Sequence, residues 1–334
     1  MSEPTAATTA PTTEPEAVPA PKIEEEHKAD AVTEAAPVEI PVESTPAPAS
    51  EPAPETKEEP AAAPAPTEPE VEEPQNELTK KFTEQEWKAL KEFRTELPAI
   101  FTEAYHPDEK DAKSEPIQIW GVTLDPAAPA KDAKTSVLLM KFLRARNLNV
   151  KDAHTMLVGT LRWRDEFKVN ELAKEEFPAD IFGKLGYIAG KDKGGRPVIY
   201  NLYGASDIKA VFGDVQRFIR WRVQFMEKSI ELLDFETIDQ MVQVHDYDGV
   251  SFLAGRDANQ KAAASEATNI FQNHYPEFLS RKFFINVPTV LSWIFWAFKS
   301  VLSAATFAKM SVVGHGQSSI KSAFLPLIDI EQIP

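Results

Sequence analysis

An imidazole and a phenol stand two residues apart in the run MVQVHDYDGVS, residues 241–251. The run reads as a buried β-strand, and side chains at i and i+2 of a strand share a face. His245 and Tyr247 therefore project together, with Val244 and Asp246 on the other side. Such a pair can ligate a metal, hold a cofactor or bridge the polar head of a ligand. It can equally be a satisfied core pair, because buried polar side chains usually find partners. No GxSxG, HExxH or P-loop pattern accompanies it. The run VVGHGQSS lacks the lysine and the spacing of a phosphate loop and reads as a strand-to-helix turn. His27 lies in a low-complexity N-terminal region, and His106, His154 and His274 fall at no metal-ligand spacing, so each reads as structural or exposed.

The elements that must position the pair alternate along the second half of the chain. Gly194-Gly195 marks a tight turn, and RPVIYNLYG after it alternates as a strand. A helical pattern follows over residues 215–233, then the His-x-Tyr strand, then a helix stopped near Pro276. KFFINVP reads as a short apolar strand, KMSVVGHG as the last strand, and residues 317–324 as a closing helix. Strands alternating with helices predict an α/β fold with a mostly parallel sheet. The preceding part is helical. Thr83 and Glu86 form a capping box ahead of WKALKEF, with Phe82 and Trp87 at staple positions and a break at Leu97-Pro98. Ser136 is the expected cap of SVLLMKFLRARNLN, and Asp152 of AHTMLVGTLRWRDEF. Arg144, Arg146, Arg162 and Arg164 read as solvated faces of these helices.

Composition divides the chain. Residues 1–78 hold 16 of the 27 prolines, no aromatic side chain, and 19 acidic residues against Lys22, Lys28 and Lys57. The whole net charge of −16 falls there, leaving the remaining 256 residues neutral. Such a segment cannot bury enough apolar area to offset its ordering entropy, so it reads as a disordered acidic tail, dispensable for ligand binding. It shows no secretory signal. The absence of cysteine excludes disulfides, zinc–thiolate sites and iron–sulfur clusters. Overall acidity without a dense basic patch argues against nucleic acid. Residues 287–298 are nearly all apolar, but twelve residues are too few to span a bilayer, and Lys299 interrupts the run. With Trp293, Phe295, Trp296 and Phe298 covering most of its circumference, a helix here is either buried or touches something greasy. A mobile lid over a lipid cavity would need such a helix.

The order FLRARNLNV, GGRPVIYNLYG, HDYDG, NHYPEFLSRKFFINVP, an aromatic helix and TFAKMSVVG resembles the CRAL-TRIO lipid-exchange family over about residues 80–334. The pieces NLYG, RWRVQFMEKS, VHDYDGVS and YPEFLSRKFFINVPTV resemble its fungal non-classical phosphatidylinositol transfer proteins, which also bind haem. The resemblance implies an N-terminal helical bundle (residues 79–175) on a lipid-binding domain (residues 176–334), whose mostly parallel sheet floors an apolar pocket closed by a gating helix. In the family the chain usually runs on past an Ile-Pro or Leu-Pro into a Tyr-Gly-Gly segment. This one stops at Ile333-Pro334, so the resemblance implies a missing or shortened last edge of the lipid domain.

The resemblance also implies ligand roles. Haem b would take Tyr247 as axial ligand, with His245 orienting or hydrogen-bonding it, and Tyr203, Arg222 and Lys282 as further contacts. The chemistry is consistent, since a phenolate suits ferric iron and guanidinium and ammonium groups suit carboxylates. Phosphatidylinositol would meet Arg146, Glu277, Thr306 and Lys309, with haem and lipid competing for one cavity. The implied protein is a non-enzymatic phosphatidylinositol carrier, cytoplasmic and peripheral on endoplasmic reticulum or microsomal membranes. Its implied role is in phosphoinositide homeostasis or the oxidant stress response. The alternative is a haem-dependent peroxidase or redox sensor.

Overall fold

A computed structural model of the chain describes residues 73–105, 115–204, 207–250, 257–287 and 307–333. The aromatic run 288–298, Thr306, His106 and residues 1–72 of the acidic tail lie outside the described residues.

The helical part begins as its sequence signals require. In α1 (Glu84–Thr95), the Thr83 hydroxyl accepts from the Glu86 amide and the Glu86 carboxylate accepts from the Thr83 amide. The Phe82 and Trp87 rings meet at 5.3 Å as the staple. A second helix, α2 (Leu97–Ala104), starts at the Leu97-Pro98 break, where a first-turn proline forfeits no helical bond. Two caps differ from expectation. Asp132, not Ser136, caps α3 (Ala133–Ala145) by accepting from the Thr135 amide at 2.7 Å. Ser136 is instead buried one turn in and accepts from Arg94 Nη2 at 2.6 Å. Asn149, not Asp152, caps α4 (Val150–Glu166), because α3 stops early at left-handed Asn147 and Leu148. Between α2 and α3 a small antiparallel hairpin, β1 (Ile117–Ile119) and β2 (Val122–Leu124), was not foreseen. Three-residue strands are too short to show a period. Their turn places both Trp120 (φ 53°) and Gly121 (φ 76°) in the left-handed region that a two-residue hairpin demands.

The second part is a five-stranded sheet in sequential order: β3 (Gly186–Lys191), β4 (Pro197–Leu202), β5 (Met241–Asp246), β6 (Leu279–Ile285) and β7 (Met310–Val312). The pair β3–β4 is an antiparallel hairpin across the Gly194-Gly195 turn, and the other three pairings are parallel. The α/β expectation therefore holds, with β3 added at the edge. Short helices α5 (Ala179–Phe182) and α6 (Ile208–Phe212) precede α7 (Val215–Ile230), which ends three residues before its expected limit. Helix α8 (Ala258–His274) links β5 to β6, and α9 (Gln317–Phe324) matches its predicted span. One sheet face, with Val198, Tyr200, Val242, Val244 and Phe283, packs on Phe324 and Ile328. The other face joins Ile199 and Met241 to a core continuous with α7 and the N-terminal helices.

Glu227 on α7 ties these parts together. Its carboxylate accepts from Arg164 Nη1 and Nη2 on α4 (2.8 and 3.1 Å), from the Tyr275 hydroxyl after α8 (2.6 Å), and from Trp120 Nε1 on the hairpin (3.3 Å). Arg164 is thus not on a solvated face. It is buried, and both of its terminal nitrogens are spent on Glu227. Glu227→Ala would leave a buried guanidinium without its acid and is expected to cost about 3–5 kcal/mol. Urea melts check this, and a loss below about 1 kcal/mol would refute the role given to Glu227.

Candidate ligand site

Strand register brings the chemical groups into rows. Asn201 on β4 lies beside His245 on β5, which lies beside Phe284 on β6; one row back, Gln243 lies beside Lys282. Residues two apart share a face, so Gln243, His245 and Tyr247 line up along one strand and Lys282 and Phe284 along its neighbour. Tyr203 and Tyr247 stand just beyond the carboxyl ends of β4 and β5, their rings 5.2 Å apart. The Tyr247 ring lies 6.4 Å from Phe284. Helix α7 adds Arg222 from the same side. Its guanidinium stacks over Phe271 of α8 at 4.9 Å, and burial together with neighbouring charges links it to Tyr203 and Lys282. Of the five residues predicted for the cofactor, Tyr203, His245, Tyr247 and Lys282 therefore share one sheet face, and Arg222 approaches that face from α7.

His245 is fixed in one form. Burial first, then the charges of Lys282 and Arg222, hold its pKa well below the ordinary imidazole value, so the ring is neutral. A neutral imidazole has one donor and one acceptor nitrogen. Gln243 Oε1, which can only accept, lies 3.4 Å from Nε2, so Nε2–H donates to it and Nδ1 is left to accept from the Tyr203 hydroxyl at 2.8 Å. The hydrogen bond expected between His245 and Tyr247 is thus given to Tyr203. Burial raises the pKa of both phenols, with Tyr203 adding to the effect on Tyr247 and Arg222 opposing it on Tyr203. Both phenols are protonated at neutral pH unless a cation displaces the proton.

Two cations on this wall have no acid among the described residues. Among the described residues, neither Arg222 (6% exposed) nor half-buried Lys282 has a carboxylate or hydrogen-bond partner. Aromatic faces are their neighbours, Phe271 and Phe225 for Arg222 and Phe284 for Lys282. Burial, then the like charge of Arg222, pushes the Lys282 ammonium down to about 7. Tyr203, Arg222 and Asn201 also line a cavity of about 10 Å³ walled by Phe212, Phe218 and Trp221, room for one water. The Asn201 side-chain oxygen is buried there without a donor.

The residues predicted for a lipid head group are only partly gathered. Lys309, just before β7, donates to the Glu277 carboxylate at 2.9 Å, both side chains being about a quarter exposed. Arg146 ends α3 and donates to the Ala145 carbonyl at 3.0 Å; no bond joins it to Glu277 or Lys309 among the described residues. Thr306 lies outside the described residues. His154 is held between Glu96 and Glu103, and His274 stacks on Trp163 at 4.4 Å, so neither belongs to the site. Sequence reasoning missed Gln243, whose i−2 spacing from His245 marks it on the same strand face. It also missed Asn201, which no spacing ties to the site. Among the described residues no cluster of three His, Asp or Glu could hold a bare metal ion, and no helix is long and apolar enough to cross a membrane.

Two family models match the chain: the CRAL/TRIO domain over residues 182–334 and the CRAL/TRIO, N-terminal domain over residues 76–159. The chain belongs to the CRAL/TRIO family. It is 39% identical over 250 residues to a protein of Cryptococcus neoformans named Phosphatidylinositol transfer protein SFH5, covering 69% of this chain and 80% of that one. It is 38% identical over 245 residues to the protein of Botryotinia fuckeliana named Phosphatidylinositol transfer protein sfh5, where it spans only 52% of the relative's length. The crystal structure of Sfh5 superposes with a TM-score of 0.61 at 28% identity, over 74% of this chain and 85% of that one.

The sign of one pH effect follows from Lys282. Its folded pKa lies below that of the unfolded chain, so between about 7 and 10.5 the unfolded state binds more protons and folding is favoured as pH rises. His245 acts in the same direction but wholly below 6.5. In urea melts of ligand-free protein, the stability of wild type relative to Lys282→Met is expected to climb from pH 7 to 9.5, to an extent trimmed by solvent screening. A difference that stays flat across this window would contradict the placement of the ammonium group.

Proposed function

We propose that this chain is a non-enzymatic carrier of phosphatidylinositol between membranes, and that it would also hold haem b against the sheet face that carries Tyr247, with Tyr247 as the iron ligand. The observation that carries the reading is the acid-free pair Arg222 and Lys282 beside two phenols on an aromatic wall. An anionic, largely apolar ligand is what such a wall lacks. The relatives' names support the lipid, as do Glu277 and Lys309, which offer an acceptor for inositol hydroxyls and a donor for a phosphodiester. Transfer needs no bond chemistry, only a cavity, head-group contacts and an opening onto a membrane.

The residues present fit haem b by type. Tyr247 offers a hard phenolate, Arg222 and Lys282 suit two carboxylates, and Phe271 and Phe284 supply apolar faces. When bound, the iron would supply the charge that lets Tyr247 release its proton. His245 and Gln243 hold Tyr203 in place, and because the Nδ1 lone pair is committed to Tyr203, His245 is a poor acid–base group for peroxide chemistry. This weighs against the peroxidase or redox-sensor alternative. The proposed setting is cytoplasmic, peripheral on endoplasmic reticulum or microsomal membranes, in phosphoinositide homeostasis or the oxidant stress response.

Protein purified from haem-supplemented cells is expected to show a Soret band that Tyr247→Phe shifts or removes, while that variant still transfers phosphatidylinositol between vesicles. Lys309→Ala is expected to do the reverse, slowing transfer roughly tenfold with the band intact. A colourless wild type would defeat the haem assignment. Unchanged transfer by Lys309→Ala would defeat the head-group assignment.

A further inference from the structure

Lys141 lies on α3, in the helical part, and its side chain is fully buried. Its ammonium group crosses to the sheet part and makes three bonds there: to the Asp239 carbonyl at 2.6 Å, the Asp239 carboxylate at 2.9 Å, and the Glu277 carbonyl at 3.1 Å. The ammonium also lies 4.5 Å from the centre of the Phe278 ring. Glu277 is held in the left-handed region, φ 53°, where a residue with a Cβ is strained unless its surroundings impose the conformation. Two side chains do so here. Gln240 Nε2 donates to the same Glu277 carbonyl at 3.3 Å. With its carbonyl drawn inward by Lys141 and Gln240, Glu277 turns its carboxylate the other way, onto Lys309 at 2.9 Å.

We infer that Lys141 is a positioning residue for the lipid head group: by gripping the Glu277 carbonyl it sets the backbone that presents the Glu277 carboxylate and Lys309 to an inositol phosphodiester. This rests on the head-group reading of Glu277 proposed above. Lys141 itself touches no ligand. Its neighbours on every side are Asp239, Glu277, Phe278 and Phe235, so its three donors are all spent within the protein.

The test is a double-mutant cycle on transfer of labelled phosphatidylinositol from phosphatidylcholine vesicles containing it to plain phosphatidylcholine vesicles. Lys141→Met keeps the apolar stem and removes the donors; it is expected to slow transfer roughly tenfold. Glu277→Gln is expected to slow it comparably, and the double variant to be no slower than Glu277→Gln alone, because Lys141 acts through that carboxylate. Gln240→Leu, at a partly buried position with little risk to folding, is expected to lose about two- to threefold. That loss too should vanish in the Glu277→Gln background. Full transfer by Lys141→Met and Gln240→Leu, or equal losses in both backgrounds, would overturn the inference and leave Lys141 a structural anchor. Full transfer by Glu277→Gln would instead overturn the head-group reading and this inference with it.

Discussion

A cation removed from water without an acid beside it costs several kcal/mol, and folded chains rarely tolerate one. This chain partners its buried cations with care. Arg94 meets Glu73, Lys141 meets Asp239, and Arg164 meets Glu227 with both arms. Arg222 is buried as deeply as Arg94 and Arg164, yet among the described residues it has only aromatic faces and the repelling Lys282. Glu227, five residues on along the same helix, faces another way and is given to Arg164. Charge left without an acid among the described residues is what the proposed anionic ligand would neutralise.

The surrounding structure serves that place. The parallel pairing of β4, β5 and β6 sets Asn201, His245 and Phe284 in one row and Gln243 and Lys282 in the next, so phenols, imidazole and ammonium share one face without any long-range coincidence of loops. Burial keeps His245 neutral, and Gln243 and Tyr203 then fix which nitrogen carries its proton. Glu227 locks α7, and with it Arg222, to α4, to the Trp120 hairpin and to Tyr275. Lys141 does the equivalent work for the Glu277–Lys309 pair. Each of the two proposed ligand regions is thus backed by a buried charge cluster.

Much of this was legible in the sequence because its signals are local. Period-2 and helical patterning give the alternation of strands and helices, the capping box at Thr83 and Glu86 is present as read, and i, i+2 spacing places His245 beside Tyr247. What failed was long-range or too short to show a period. Arg164 looks like any arginine on an amphipathic helix until Glu227, 63 residues later, arrives beside it. The three-residue strands β1 and β2 carry no readable alternation, and β3 is interrupted by Gly186 and Gly190. Asp132 and Asn149 displaced Ser136 and Asp152 as caps because each reaches the amide three residues on at the true helix start. Partners across the sheet, such as Gln243 for His245, became visible only once the strand face was known.

The most direct test removes both uncompensated charges from ligand-free protein. In Arg222→Met/Lys282→Met the buried positive charge is replaced by apolar side chains of similar length. If the two cations exist for a bound anion, the ligand-free variant is expected to melt at the same temperature as wild type or higher, while losing affinity for its anionic ligand. A variant that melts several degrees lower without ligand, yet binds as wild type does, would show that the pair serves the fold and not the site.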